Sequence, residues 1–190
     1  MSLLGSPRSG KTTVAARVFS NLKEASFNCE FVPEQARLYI AEKRVNSNLQ
    51  PSDKLTLSDQ DQVNIMAKQF LYQQLMLKAC GDGAIIVTDS SPLNALLYMT
   101  EDCKNTNTVK ELVKQTLQLE TLFFYCAPVE WLGGLDPNRI HTKEQSLTID
   151  SMIVNTIYPL LQSVPVTLIG EPENRWRFAT SEILRVLMAK

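Results

Sequence analysis

Histidine is nearly missing from this sequence, and its absence removes several kinds of chemistry at once. His141 is the only histidine among the 190 residues, so a metal centre built on several imidazoles is excluded. The 4 cysteines contain no C-x-x-C pair, which argues against a zinc knuckle or a thioredoxin-type redox site. We interpret the cysteines as reduced thiols, and the apolar runs around Cys29 and Cys126 place these two in the core.

The sequence also lacks a long hydrophobic run and an excess of either charge. The longest apolar stretch, from Leu122 to Ala127, is too short to cross a membrane. Residues 1–4 carry no basic and apolar leader pattern, so we expect no signal peptide and a cytoplasmic protein. The formal net charge of -1 argues against bulk binding to nucleic acid or anionic lipid, although a local basic cluster fits within it.

The length and the periodicity predict one α/β domain over residues 1–190. Short apolar runs alternate with segments of helical period, which is typical of a parallel sheet with helices on both faces. The pattern leaves the oligomeric state open, with a dimer among the candidates. The runs predicted as strands are 2–4, 29–32, 84–87, 121–127 and 164–169, and the predicted helices are 11–24, 33–43, 58–79, 92–100, 109–119, 147–161 and 173–190.

A glycine-rich loop carries the strongest chemical signal. The segment from Gly5 to Thr12 matches G-x-x-x-x-G-K-[ST] at every fixed position, between a predicted strand and a predicted helix. Its backbone N–H groups and the start of the helix would bind phosphate oxygens, and Lys11 would reach the β- and γ-phosphates of a nucleotide. The residues predicted to hold the nucleotide are Gly5, Ser6, Pro7, Arg8, Ser9, Gly10, Lys11, Thr12 and Thr13.

Asp89 follows the buried run 85–87, where a parallel sheet presents its strand ends to a ligand. There it would hold Mg²⁺ together with the Thr12 hydroxyl. The alternative is that Asp89 caps the next helix, a role that Ser90 or Ser91 could fill equally well. The phosphate loop needs an acidic partner, and we therefore favour the metal-binding role.

Glu34 and Arg37 follow the second predicted strand and share one face of the next helix. The carboxylate could orient or deprotonate an acceptor hydroxyl, and the guanidinium could bind an acceptor phosphate or the transferring group. The alternative is an exposed ion pair at a helix start. We favour the functional interpretation and place both residues at a phosphate acceptor.

Arg139 lies in a glycine- and proline-rich segment that we interpret as a lid-type loop over residues 128–146. Kinases use a mobile arginine of this kind to neutralise the transferred group, and a solvated loop arginine is an equal alternative. We expect His141 to be a surface or packing residue rather than a base. Arg175 and Arg177 are predicted to be ordinary surface charges.

Taken together, these segments resemble a known family. The phosphate loop, the segment from Val32 to Arg37, a glutamine-rich long helix and the segment from Thr88 to Ser91 are spaced as in the ATPase/kinase domains related to ribosylnicotinamide kinase. Such domains occur in bacterial NAD regulators and many phage proteins. The resemblance implies a P-loop kinase fold with parallel strand order 2-3-1-4-5, ATP and Mg²⁺. It also implies that Glu34 and Arg37 lie near the acceptor and Asp89 near the metal.

These observations predict an ATP-dependent kinase for a nucleoside, a nucleotide or a related small metabolite. Its catalytic residues would be Lys11, Glu34, Asp89 and Arg139. The alternative is an ATP-hydrolysing switch that has no small-molecule acceptor and is accelerated by a partner. A GTPase is disfavoured because the sequence has no N-K-x-D motif.

Overall fold

The computed structural model describes residues 1–50, 53–120, 122–129 and 142–189. The described residues contain a parallel sheet of five strands in the order β2-β3-β1-β4-β5. The fold is therefore the three-layer α/β sandwich of P-loop NTPases, and the predicted fold class and strand order are confirmed. The strands are β1 (Ser2–Leu4), β2 (Cys29–Val32), β3 (Ile85–Thr88), β4 (Phe123–Cys126) and β5 (Val166–Leu168).

Helices cover both faces of this sheet, as a parallel sheet requires. Where the chain is described, the longer elements are α1 (Lys11–Glu24), α2 (Gln35–Asn46), α3 (Asp59–Cys80), α5 (Asn107–Leu119), α6 (Lys143–Met152) and α7 (Pro172–Met188). Shorter turns are the 3₁₀ helix Pro92–Tyr98, α4 (Glu101–Lys104), a π-helical turn Ile153–Ile157 and a 3₁₀ turn Tyr158–Leu160. No described helix has both the length and the apolar character needed to cross a membrane.

Strand β1 divides the hydrophobic core in two, because successive strand residues point to opposite faces. Leu3 packs with residues of α1 and α7, and Leu4 packs with residues of α3, the 3₁₀ helix and α6. Both leucines are fully buried. Cys29 and Cys126 are buried too, as predicted, and both are free thiols. The strand that leads into the phosphate loop is thus fixed on both sides.

In the sequence, apolar residues recur at helical spacing along α3 and predict its buried stripe as Val63, Ala67, Phe70, Leu71 and Leu75. This prediction is partly wrong. Periodicity placed Leu71 and Leu75 on the buried side, but they are 50% and 48% exposed. The buried face instead carries Asp61, Gln62, Ile65, Met66, Gln69, Phe70 and Gln73. The inner face of α3 lines a cavity and caps α2, so it carries buried amide side chains. Apolar periodicity alone therefore predicts the wrong buried face.

Several element boundaries differ from the prediction. Helix α2 begins at Gln35 rather than at Pro33, because Glu34 has extended backbone and occupies the N-cap. The segment after β3 is a 3₁₀ helix that ends at Tyr98. A separate short helix, α4, then begins where a polar loop was predicted, with the Thr100 hydroxyl as its cap. Helix α6 begins at Lys143, four residues earlier than predicted.

Asp61 joins α2, α3 and the segment before α3 through one buried carboxylate. In the sequence, Ser58 followed by Asp61 resembles a capping box, and in the structure the two residues form one. Asp61 also accepts hydrogen bonds from the Tyr39 hydroxyl at 2.8 Å and from the Lys43 ammonium. Burial alone would raise the pKa of Asp61, but the bonds from Lys43, Ser58 and Tyr39 outweigh burial and hold that pKa well below its usual range.

We therefore predict that Asp61→Asn lowers the free energy of unfolding by about 1–3 kcal/mol at pH 7, because it removes a charged acceptor shared by several donors. Since the folded pKa lies below the unfolded value of about 4, the stabilisation is complete above that value and disappears as the pH falls through the folded pKa. Urea unfolding at pH 7 and pH 3 measures both effects. The exposed Asp82→Asn is the control, and an equal loss in the two variants would contradict the prediction.

Candidate nucleotide-binding site

The phosphate loop connects β1 to α1, and its first position has no room for a side chain. Gly5 has a φ of 151°, and a Cβ there would lie 2.5 Å from the Ser9 hydroxyl and 2.8 Å from the Cys126 carbonyl oxygen. Gly10, the N-cap of α1, has a φ of 87° and open space where a Cβ would be. The loop thus folds tightly against β4 at one end and faces open space at the other.

The start of α1 is arranged for an anion. Its N-cap residue is a glycine, so no side chain accepts a hydrogen bond from the first turn. The N–H groups of Lys11, Thr12 and Thr13 have no acceptor within the helix. Together with the positive end of the helix dipole, these donors form a site for a phosphate group.

Lys11 points back over the loop. Its ammonium donates to the carbonyl oxygens of Gly5 at 2.8 Å and of Ser6 at 2.9 Å. These bonds hold the positive charge at the mouth of the loop. Phosphate oxygens placed there would accept from the same ammonium group.

Thr12 and Asp89 contact each other, and the metal site predicted for them stays a prediction. The Thr12 hydroxyl donates to Asp89 Oδ2 at 2.8 Å, and Asp89 is only 3% exposed. Burial raises the pKa of Asp89, and the hydrogen bond from Thr12 opposes the rise. The helix after β3 is capped by Ser91, whose hydroxyl accepts from the Leu93 N–H at 3.2 Å, so Asp89 is not needed as a cap.

This pair fits Mg²⁺ held jointly with a nucleotide. Asp89 Oδ1 is buried and has no hydrogen-bond partner among the described residues. Within the same residues no group of three or more His, Cys, Asp and Glu side chains could hold a metal alone. Mg²⁺ commonly uses one or two carboxylates and takes its other ligands from phosphates and water, which agrees with an isolated Asp89 beside the Thr12 hydroxyl.

Glu34 and Arg37 lie at the carboxyl end of β2 and face the same cavity as the loop. Their side chains form an ion pair at 3.7 Å and are 28% and 48% exposed. The cavity has a volume of about 930 Å³ and continues from the phosphate loop past Glu34 to the inner face of α3. The structure therefore brings Lys11, Thr12, Glu34 and Arg37 to one cavity, with Asp89 buried beside Thr12.

Arg175 is the residue that sequence reasoning misjudged. The prediction of a surface charge is wrong, because Arg175 is only 3% exposed. Its guanidinium donates to the carbonyl oxygens of Gly170 at 2.7 Å, Ala127 at 2.8 Å and Ser9 at 3.1 Å. It forms no ion pair with a described carboxylate, so a buried positive charge lies beside the phosphate loop.

A signal for this burial was present in the sequence. Arg175, Ala179 and Ile183 follow one another at helical spacing, and all three are buried. Arg177 lies on the other side of α7 and is 65% exposed in an ion pair with Glu173, as predicted. The position relative to the apolar stripe, and not the residue type, distinguishes the two arginines.

The proposed lid is only partly within the described residues. Arg139, Trp131 and His141 lie outside them, and the predicted role of Arg139 stays a prediction. At the two ends of the segment, Val129 and Ser146 line the cavity. The Ser146 hydroxyl donates to the Pro7 carbonyl oxygen at 2.7 Å, a contact with the phosphate loop that the sequence did not indicate.

Comparison with known proteins agrees with this geometry. A family model described as an AAA domain matches residues 1–175. The chain belongs to this AAA domain family. Membership covers most of the chain, and together with the loop geometry it identifies a P-loop nucleotide-binding domain. A comparison with curated proteins finds no match.

Two solved structures are similar at low identity. The crystal structure of APE1195 is 14% identical, with 98% of this chain and 92% of that chain covered and a TM-score of 0.46. A mutant of the APS kinase CysC from Mycobacterium tuberculosis is 15% identical, with 84% and 94% covered and a TM-score of 0.39. At these TM-scores the two likenesses add nothing to the site described above.

We predict that Arg175→Met weakens both the fold and the phosphate loop. The substitution keeps the aliphatic volume but leaves three carbonyl oxygens without their donor, which costs about 3 kcal/mol of unfolding free energy or more. It also removes the buried charge, so the affinity for ATP should fall roughly tenfold or more. Thermal unfolding and calorimetric titration with ATP measure the two effects. Arg177→Met on the same helix should change neither, and equal behaviour of the two variants would contradict the prediction.

Proposed function

We propose that this protein is an ATP-dependent kinase for a nucleoside, a nucleotide or a related small metabolite. The observation that carries the proposal is the continuous cavity, which has the phosphate loop at one end and Glu34 and Arg37 at the other. A protein that only binds or hydrolyses ATP does not require a second compartment beside the site of the γ-phosphate. The proposal includes a relation to ribosylnicotinamide kinase, a small-molecule acceptor and a cytoplasmic location.

In the proposed reaction, Lys11 and the loop amides hold the donor phosphates. Glu34 accepts the proton of the acceptor hydroxyl while that oxygen bonds to the γ-phosphorus and the bond to the β-phosphate oxygen breaks, leaving ADP. Arg37 neutralises charge on the acceptor side, and Arg139 would do so on the transferring group. Thr12 and Asp89 would hold Mg²⁺, which neutralises charge on the β- and γ-phosphates.

An ATP-hydrolysing switch is the second candidate, because the matching family is described as an AAA domain. The two functions differ in where the γ-phosphate goes. We would incubate the protein with γ-labelled ATP and Mg²⁺, with and without a panel of nucleosides, nucleotides and ribosylnicotinamide. Transfer of label to one acceptor supports the kinase, whereas release of phosphate that no acceptor changes supports the switch. Lys11→Ala, which removes the ammonium at the loop, controls for contaminating kinases.

We predict that Glu34→Gln lowers kcat for phosphate transfer by a factor on the order of 10²–10⁴, because the amide cannot take the proton from the acceptor hydroxyl. The affinity for ATP should stay within about twofold, since the substitution keeps the shape and leaves the phosphate loop untouched. Glu30→Gln is the matched control: Glu30 lies on β2, and its side chain pairs at the surface with Lys23. A kcat that is unchanged in Glu34→Gln would exclude Glu34 as the base.

A further inference from the structure

The inner face of α3 forms a polar wall of the acceptor compartment. Gln62, Ile65 and Gln69 line the cavity, and their spacing places them on one face of the helix. They are buried, with exposures of 6%, 6% and 2%. Two carboxamides separated by an aliphatic side chain therefore face the space beyond Glu34.

The amide of Gln69 is held in a single orientation. Its Oε1 accepts from the Gln35 N–H at 2.8 Å, at the start of α2, where Glu34 provides no side-chain cap. A flipped amide would set two donors against each other, so Nε2 must point away from α2. Gln69 thus caps one helix while its NH₂ group is directed elsewhere.

That NH₂ group has no acceptor. Gln69 Nε2 is buried and makes no hydrogen bond to the described residues. An unsatisfied buried donor costs about 1–3 kcal/mol, and a ligand that supplies an acceptor in the cavity would recover this cost. Gln62 lines the same cavity and also makes no side-chain hydrogen bond within the described chain, so a second amide is available to the same ligand.

The remaining wall limits the shape and polarity of that ligand. The side chains of Ile40, Leu55, Leu97 and Ile65 are apolar and line the cavity, together with the polar side chains of Asn94 and Tyr98. Apolar walls with a few hydrogen-bonding groups suit a flat ring that is apolar on its faces and polar at its edge.

We infer that the phosphate acceptor is a nucleoside, or its nucleotide, whose heterocyclic base carries a carbonyl group. The carbonyl oxygen accepts from Gln69 Nε2, and Gln62 bonds to the neighbouring edge of the base. The inference rests on the proposed function only in naming this ligand as the acceptor. The recognition itself is a binding event that can be measured without phosphate transfer.

The test compares inosine with adenosine. Inosine has a carbonyl group at C6 and a hydrogen on N1, whereas adenosine has an amino group at C6 and no hydrogen on N1. Binding would be measured by calorimetry with Mg²⁺ and saturating ADP, so that the donor end is occupied. The wild-type protein should bind inosine about tenfold or more tightly than adenosine, because the amino group offers no acceptor to Gln69.

Gln69→Glu sharpens this test, since it keeps an oxygen for the Gln35 N–H and replaces the donor by an acceptor. The preference should then reverse towards adenosine. Gln118→Glu makes the same chemical change on an exposed residue of α5 and should leave the preference unchanged. Gln62→Leu covers the case in which Gln69→Glu does not fold, because the Gln62 side chain makes no hydrogen bond to the described residues. Its affinity for inosine should fall about fivefold or more with an unchanged melting temperature.

The outcomes separate the inference from the proposed function. Gln69-dependent binding of inosine without any phosphate transfer would support the recognition and count against the kinase. Transfer to an acceptor without a base, with no nucleoside binding, would support the kinase and overturn the inference. A wild-type preference for adenosine, or variants that bind every nucleoside as the wild type does, would overturn it as well.

Discussion

The nucleotide site depends on the hydrogen bonds made by the buried guanidinium of Arg175. Its guanidinium reaches the carbonyl oxygens of Ser9 in the phosphate loop, Ala127 after β4 and Gly170 after β5. Three separate segments at the carboxyl edge of the sheet are thereby fixed to one rigid planar group. These acceptors are neutral, and no described carboxylate pairs with the guanidinium, so a bound phosphate is well placed to balance the positive charge.

Two of the buried polar atoms that the fold leaves unsatisfied belong to the proposed site. Asp89 Oδ1 beside Thr12 and Gln69 Nε2 on α3 are both buried without a partner in the described chain. Native proteins pair nearly all such atoms, so each exception needs an explanation. Their positions suggest one explanation each, a metal ion for the carboxylate and a carbonyl group for the amide.

Patterns that depend only on neighbouring residues predicted much of this molecule. The glycine loop, the alternation of strands and helices, and the Ser58 capping box all follow from local backbone chemistry, and the structure confirms them. Two features that depend on tertiary packing were mispredicted. Leu71 and Leu75 are exposed because the inner face of α3 is used for a cavity, and Arg175 is buried because three carbonyl groups from distant segments require a donor.

Gln69 connects two parts of the proposed acceptor compartment. One amide oxygen caps the N-terminus of α2, and that same helix start carries Glu34 and Arg37. The group that would recognise the base and the groups that would act on the hydroxyl are therefore tied together by a single hydrogen bond of 2.8 Å. In the proposed complex, a ligand bonded to Gln69 Nε2 would be linked through this amide to the N-terminus of α2, where Glu34 lies. A carboxamide suits this position because its oxygen accepts from the helix while its nitrogen donates to the ligand.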